Sequence, residues 1–181
     1  MEITTVDIIC LILIALIGFP HGAIDGPLLA YNPRTQNKYK TAIFLYILVG
    51  FLFWCFWHYY PNQALCIFLI ISLIHFGLGD ERNYFSKQTK NKFQRFIRVV
   101  SHGGLVTIVI PIFHPEKTSY IFQLLGSSFD FFINFFQFAF LFWCLCIIAL
   151  CLITFKQKLA RLPIYEIVIL AVLCSQLDPL I

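Results

Sequence analysis

NQALCIFLIISLIHFGLGDE, residues 62–81, decides how this chain is to be read. Between Gln63 and Asp80 it holds no Asp, Glu, Lys or Arg, and about 20 largely apolar residues are what an α-helix needs to cross a bilayer core. The run then closes abruptly on His75, Gly77, Gly79, Asp80 and Glu81. The same closing pattern follows the first apolar run, at Pro20-His21-Gly22-Ala23-Ile24-Asp25-Gly26. Polar groups at membrane depth are costly and normally face a protein interior or a water-filled cavity. Two imidazoles at one depth suggest a metal site inside a membrane protein.

The whole chain supports that reading. Its 181 residues are 60% hydrophobic and 12% charged, about half the charged share of soluble domains. The expectation is an all-α polytopic bundle of about six transmembrane helices at roughly 20 residues each, forming one integral membrane domain over 1–181. Hydropathy places the helices near 3–22, 41–60, 62–79, 97–113, 129–154 and 163–179. The first is read as a retained helix, because it carries Glu2 and Asp7 instead of a basic leader and lacks a small-x-small cleavage site. Pro61-Asn62 reads as a tight turn, Asp80 to Arg98 as a polar loop with a short amphipathic piece near 93–97, and Ser128 as a cap for the fifth helix.

Basic residues orient the bundle. Arg34, Lys38 and Lys40 fall in the first connection, Arg82, Lys87, Lys90, Lys92, Arg95 and Arg98 in the third, and Lys156, Lys158 and Arg161 in the fifth. Only Lys117 falls on the other side. The positive-inside rule then predicts a multi-pass protein of the cytoplasmic membrane, with its N-terminus outside and its basic loops in the cytoplasm. Because these charges are spread among loops, the net +4 is no sign of nucleic-acid binding.

This topology sorts the histidines. His21, His75 and His102 lie toward the cytoplasmic leaflet, whereas His58 and His114 read as interfacial residues of the outer face. Gly22 and Gly26 follow His21, and Gly77 and Gly79 follow His75; glycines allow close backbone approach or a helix break. Asp25 and Asp80 come four and five residues later, and carboxylates commonly orient metal-bound imidazoles. His21 and His75 are therefore the candidate metal ligands, with Asp25, Asp80 and His102 as supporting or substitute groups. Nitrogen ligands without cysteine partners suit iron, copper, zinc or nickel. All seven cysteines (10, 55, 66, 144, 146, 151, 174) lie within apolar runs and read as small hydrophobes. The phenylalanine-rich stretch 129–142 reads as lipid-facing or core packing before it reads as a ligand wall.

GFPHGAIDGPLL at 18–29, HFGLGDE at 75–81 and GGLVTIVIPIFHPEKT at 103–118, in this order and spacing, resemble the Brp/Blh family of β-carotene 15,15'-dioxygenases along essentially the whole chain. The resemblance implies a membrane-embedded non-haem iron enzyme. It would cleave the central double bond of β-carotene with O2 to give two molecules of retinal, the chromophore of a functionally linked rhodopsin. It implies Fe2+ as cofactor, with His21 of the PHGAxD segment and His75 of HFG as ligands. The family carries two further histidine ligands in a helix after a segment like Asp178-Pro179-Leu180-Ile181, where this sequence stops. The expectation is a C-terminally shortened member with weak iron binding and little activity alone.

Two other readings stand beside this one. Broken helices with Gly and Pro near polar residues also occur in transporters, so His21, Asp25 and His75 could form a proton or cation path; an inactive remnant of the family is the other alternative. Membrane desaturases are disfavoured by the lack of clustered HxxH pairs, and nucleotide enzymes by the lack of a strand–glycine loop–helix context.

Overall fold

The structure is a computed structural model that describes residues 39–85, 91–157 and 162–176, with Ile9, Ile12 and Leu16 as three further helical positions; for residues 80–85 and 157 it describes the backbone alone. The described residues are helical with short connections and no strand. This is an all-α membrane protein, and among the described residues four helices are long and apolar enough to span a bilayer. The expected helix at 3–22 falls outside the described residues apart from those three positions. The chain divides into two compact units, Met1–Tyr60 with Leu180–Ile181, and Pro61–Pro179.

In the first unit, α1 (Tyr39–Tyr59) is a 21-residue span with no buried residue, about 32 Å long at 1.5 Å per residue. Its aromatic rings interact along the helix surface, Phe53 with Trp57 at 5.8 Å and Trp54 with His58 at 6.4 Å. His58 is exposed.

The second unit opens with α2 (Pro61–Phe85), whose proline occupies the first helical position, where no N–H is needed. The polar loop expected from Asp80 onward is helix as far as Phe85. The next helix also begins earlier than the hydropathy suggests. Asn91 caps α3 (Lys92–Gly104) by accepting from the Phe93 N–H at 2.9 Å. A π-helical turn at Leu105–Val109 and a short α4 (Ile110–Phe113) complete one 22-residue span, Lys92–Phe113. The wide turn has local causes. Pro111 has no N–H to offer the Thr107 carbonyl four residues back, and the Thr107 hydroxyl donates to the Gly103 carbonyl at 3.0 Å. The amphipathic piece and the fourth span are thus one element.

α5 (Pro115–Leu124) replaces the looser segment expected between His114 and Ser128. It ends in a Schellman turn: Ser127 N–H donates to Phe122 C=O at 2.8 Å and Gly126 N–H to Gln123 C=O at 3.0 Å, with Gly126 at φ 76°. A side chain is strained there. Gly126→Ala is expected to lower stability by about 1 kcal/mol or more, read from the denaturant midpoint in detergent. A 3-10 turn at Phe129–Phe132 leads into α6 (Ile133–Gln157). Ser128 holds the cap position without a side-chain capping bond. Instead Asn62 at the start of α2 accepts from Ser127 Oγ at 2.6 Å and Ser128 N at 3.0 Å. α7 (Leu162–Gln176) follows; its 15 residues extend about 22 Å.

Span Lys92–Phe113 is central. Of its most apolar window, 72% is buried, against 17% for α2 and 22% for α6. Ile97, Val100, Leu105, Ile108 and Val109 form a core with Trp143, Cys146 and Leu150 of α6 and Ile167 of α7. α2 meets α3 backbone to backbone: a Cβ on Gly77 would overlap the Val99 carbonyl, and one on Gly103 the Leu73 carbonyl. These two contacts run antiparallel in register. Such close approach by small residues is the usual basis of helix association in lipid.

Candidate functional site

Gly77 aims its missing side chain at α3, which orients everything on that turn of α2. His75, two positions earlier, leaves the helix about 200° around, on the side turned away from α3. It is exposed, its ring stands edge-on to Phe76 at 5.7 Å, and it makes no hydrogen bond among the described residues. An imidazole so placed has both nitrogens available to a ligand. Asp80 lies on the same continuous helix, its backbone position offset from that of His75 by about 140°. His21 and Asp25 lie outside the described residues.

His102 behaves differently. It sits ten positions into α3 rather than at a helix start, and only 3% of it is exposed. It lies among Arg98, Ser101 and Gly103, all buried. The structure therefore does not bring His75 and His102 to a common face. Among the described residues, no group of three or more His, Cys, Asp or Glu is placed to hold a metal ion. The six described cysteines are free thiols, with Cys146 buried and the others half-buried, while Cys10 is outside the described residues.

Arg98 is the residue that sequence reasoning misplaced. Counted as a loop charge, it is a fully buried side chain of α3, 0% exposed. A guanidinium this deep requires compensation by its surroundings, and Arg98 and His102 are both engaged with neighbours. Asn91 followed by Lys92-Phe93 was the legible signal, since an N-cap there starts the helix early enough to carry Arg98 inward. Trp143 was likewise not singled out. Leu105 N–H donates to the His102 carbonyl, and the Ser101 carbonyl accepts from the Trp143 indole at 2.9 Å. The indole also fills the space beside Gly104, so it locks α6 onto α3. His114 is more than interfacial: its Nε2–H donates to the Cys174 carbonyl at 2.8 Å. That carbonyl belongs to the last turn of α7, where helices lack internal donors.

An apolar hollow of about 340 Å³ lies between α2, the α3–π turn and α6. Leu69, Ile70, Leu73, Ile108, Phe135 and Phe138 are among its walls. The Thr107 hydroxyl, the one side-chain polar group of its wall among the described residues, is tied to Gly103. The phenylalanine-rich stretch divides its work here. Phe132 and Phe136 are buried against Phe122, whereas Phe135, Phe138 and Phe142 line the hollow. His75 is not among the lining residues.

The sequence pattern of the family described as beta-carotene 15,15'-dioxygenase matches residues 12–181. The chain belongs to the beta-carotene 15,15'-dioxygenase family. A curated relative, the beta-carotene 15,15'-dioxygenase of the uncultured marine bacterium 66A03, is 28% identical over 131 residues, which is 71% of this chain and 46% of that protein. The aligned region spans about half the length of that dioxygenase. No solved structure matches the chain. In this chain the HFG segment at 75–77 has a structural explanation: its glycine seats α3, and its histidine faces the other way.

Proposed function

We propose that this chain carries out the reaction named for its family, cleavage of the central double bond of β-carotene by O2 to give two molecules of retinal. The proposed cofactor is Fe2+, with His21 and His75 as ligands. The observation that carries the reading is the family match along residues 12–181. His75 supports it, because an exposed imidazole without a hydrogen-bond partner among the described residues has the chemistry of a ligand. Further donors come from outside the described residues. Iron in such a setting supplies activation of O2.

The chain's own contribution is placement and dryness. α2 is held rigidly against α3 by the two glycine contacts, so the backbone under His75 is fixed. Asp25 serves to orient the His21 imidazole, while Asp80, about 140° around α2 from His75, has a structural role or supports a ring other than that of His75. The apolar spans admit a bilayer-borne hydrocarbon laterally and exclude water. The protein lies in the cytoplasmic membrane with its basic loops inside, and its product supplies a retinal-binding rhodopsin.

Expression in β-carotene-producing bacteria tests the reading. Slow loss of orange pigment, with two retinals formed per carotenoid cleaved, is the expected result, because His21 and His75 are the two proposed iron ligands. Unchanged pigment, with the protein present in the membrane and iron supplied, would overturn it.

A further inference from the structure

We infer that the first turn of α3 binds an anionic phospholipid, with its phosphate on Lys92 and Arg95 and its acyl chains over Phe93 and Phe96. The site lies within the second unit. Only the leaflet it faces, the cytoplasmic one, rests on the proposed topology.

Charge comes first. Residues 82–98 hold six Lys or Arg and no Asp or Glu. A run of roughly four to eight such cations beside a membrane span is the pattern that attracts anionic lipid. The fold then sorts the run. Its last three cations enter α3, where Arg98 turns inward and is fully buried. Lys92 and Arg95 stay exposed, three positions apart and so neighbours on the helix surface.

The sign of these two charges opposes their position. A helix N-terminus carries partial positive charge and favours Asp or Glu in its first turn, yet the first turn of α3 has no acidic residue. α6 follows the rule at its other end, with Lys156 in its last turn. Two cations at the positive end of α3 repel that end and each other, and a phosphate placed between them relieves both repulsions.

The apolar half of the site adjoins the charged half. Phe93 is 68% exposed and Phe96 51% exposed, and they alternate with the cations in the order Lys92, Phe93, Arg95, Phe96. The Phe96 ring lies 6.3 Å from that of Phe142 on α6, which is exposed as well. An aromatic surface therefore leads from the charged turn along the bundle. A molecule with an anionic head and hydrocarbon tails uses both halves, whereas free phosphate uses only the first.

The test reads lipid binding directly. The purified chain is reconstituted in phosphatidylcholine vesicles, and trace spin-labelled lipids report the fraction immobilised on the protein. One Lys or Arg at an anionic lipid surface is worth roughly fivefold in affinity. Spin-labelled phosphatidylglycerol is thus expected to be preferred over spin-labelled phosphatidylcholine by about tenfold or more, less so in about 0.5 M NaCl. Arg95→Gln is expected to lower the preference about fivefold and Lys92→Gln with Arg95→Gln to abolish it, while Lys156→Gln leaves it within about twofold. In neutral detergent, phosphatidylglycerol is expected to raise the thermal midpoint of the wild type and not of the double variant, and inorganic phosphate to raise neither. Equal immobilisation of the two lipids would overturn the assignment. So would equal losses from Lys156→Gln and Arg95→Gln, or equal thermal protection by inorganic phosphate. These assays contain neither carotenoid nor iron, so a failed pigment test leaves the lipid site standing, and a failed lipid test leaves the reaction standing.

Discussion

Gly103→Ala and Gly77→Ala are each expected to destabilise the protein by about 3 kcal/mol, at the upper end of overpacking effects. Each added methyl would overlap a backbone carbonyl of the facing helix, Leu73 for Gly103 and Val99 for Gly77. A flexible side chain could swing aside, but a carbonyl within a hydrogen-bonded helix moves only with the helix. α2 and α3 must therefore separate, losing close contact along their whole interface, and in lipid no hydrophobic drive replaces it. Gly79 and Gly50 are the controls, because neither has anything within 4 Å of its missing Cβ. Alanine there should be neutral, or stabilising by up to about 1 kcal/mol through helix propensity. Unfolding by added SDS in mixed micelles, followed by helical circular dichroism, separates the two pairs. Equal midpoints for Gly103→Ala and Gly79→Ala would contradict the tight α2–α3 contact.

His75→Ala is expected to reduce retinal formation by at least about 100-fold, since even groups that merely support metal ligands are worth 10–100-fold. The fold should survive the change. His75 is exposed, and its one ring contact among the described residues is with Phe76. Iron content of the purified protein should fall with activity. His102→Ala offers the contrast: its side chain is buried in α3, so stability should drop while iron content per folded molecule is retained. A His75→Ala protein with wild-type iron and wild-type turnover would remove this residue from the proposed metal centre.

Residues 62–81 made both the span and its termination legible, because a charge-free run of bilayer length has few other readings. The apolar spans at 41–60 and 129–154 follow from the same one-dimensional signal and agree with the structure to within a few residues, whereas Pro61-Asn62, read as a tight turn, is the first turn of α2. The signal failed where helices leave the hydrocarbon. Asp80 and Glu81 are polar but helical, and Lys92, Arg95 and Arg98 lie inside α3. Polarity marks the boundary of a membrane, whereas hydrogen bonding and capping mark the boundary of a helix, and the two need not coincide.

The amino-acid order was sufficient for the class of protein, the approximate spans and the family, and it singled out His75. These depend on local composition and on motifs only a few residues long. Which span stands at the centre, that Arg98 and His102 are interior, and that Phe138 and Phe136 serve opposite ends were settled only in three dimensions. The reason is physical. A helix bathed in lipid and a helix buried among its neighbours both require apolar surfaces all around, so hydropathy cannot distinguish them; that distinction rests on which backbones approach closely, as at Gly77 and Gly103.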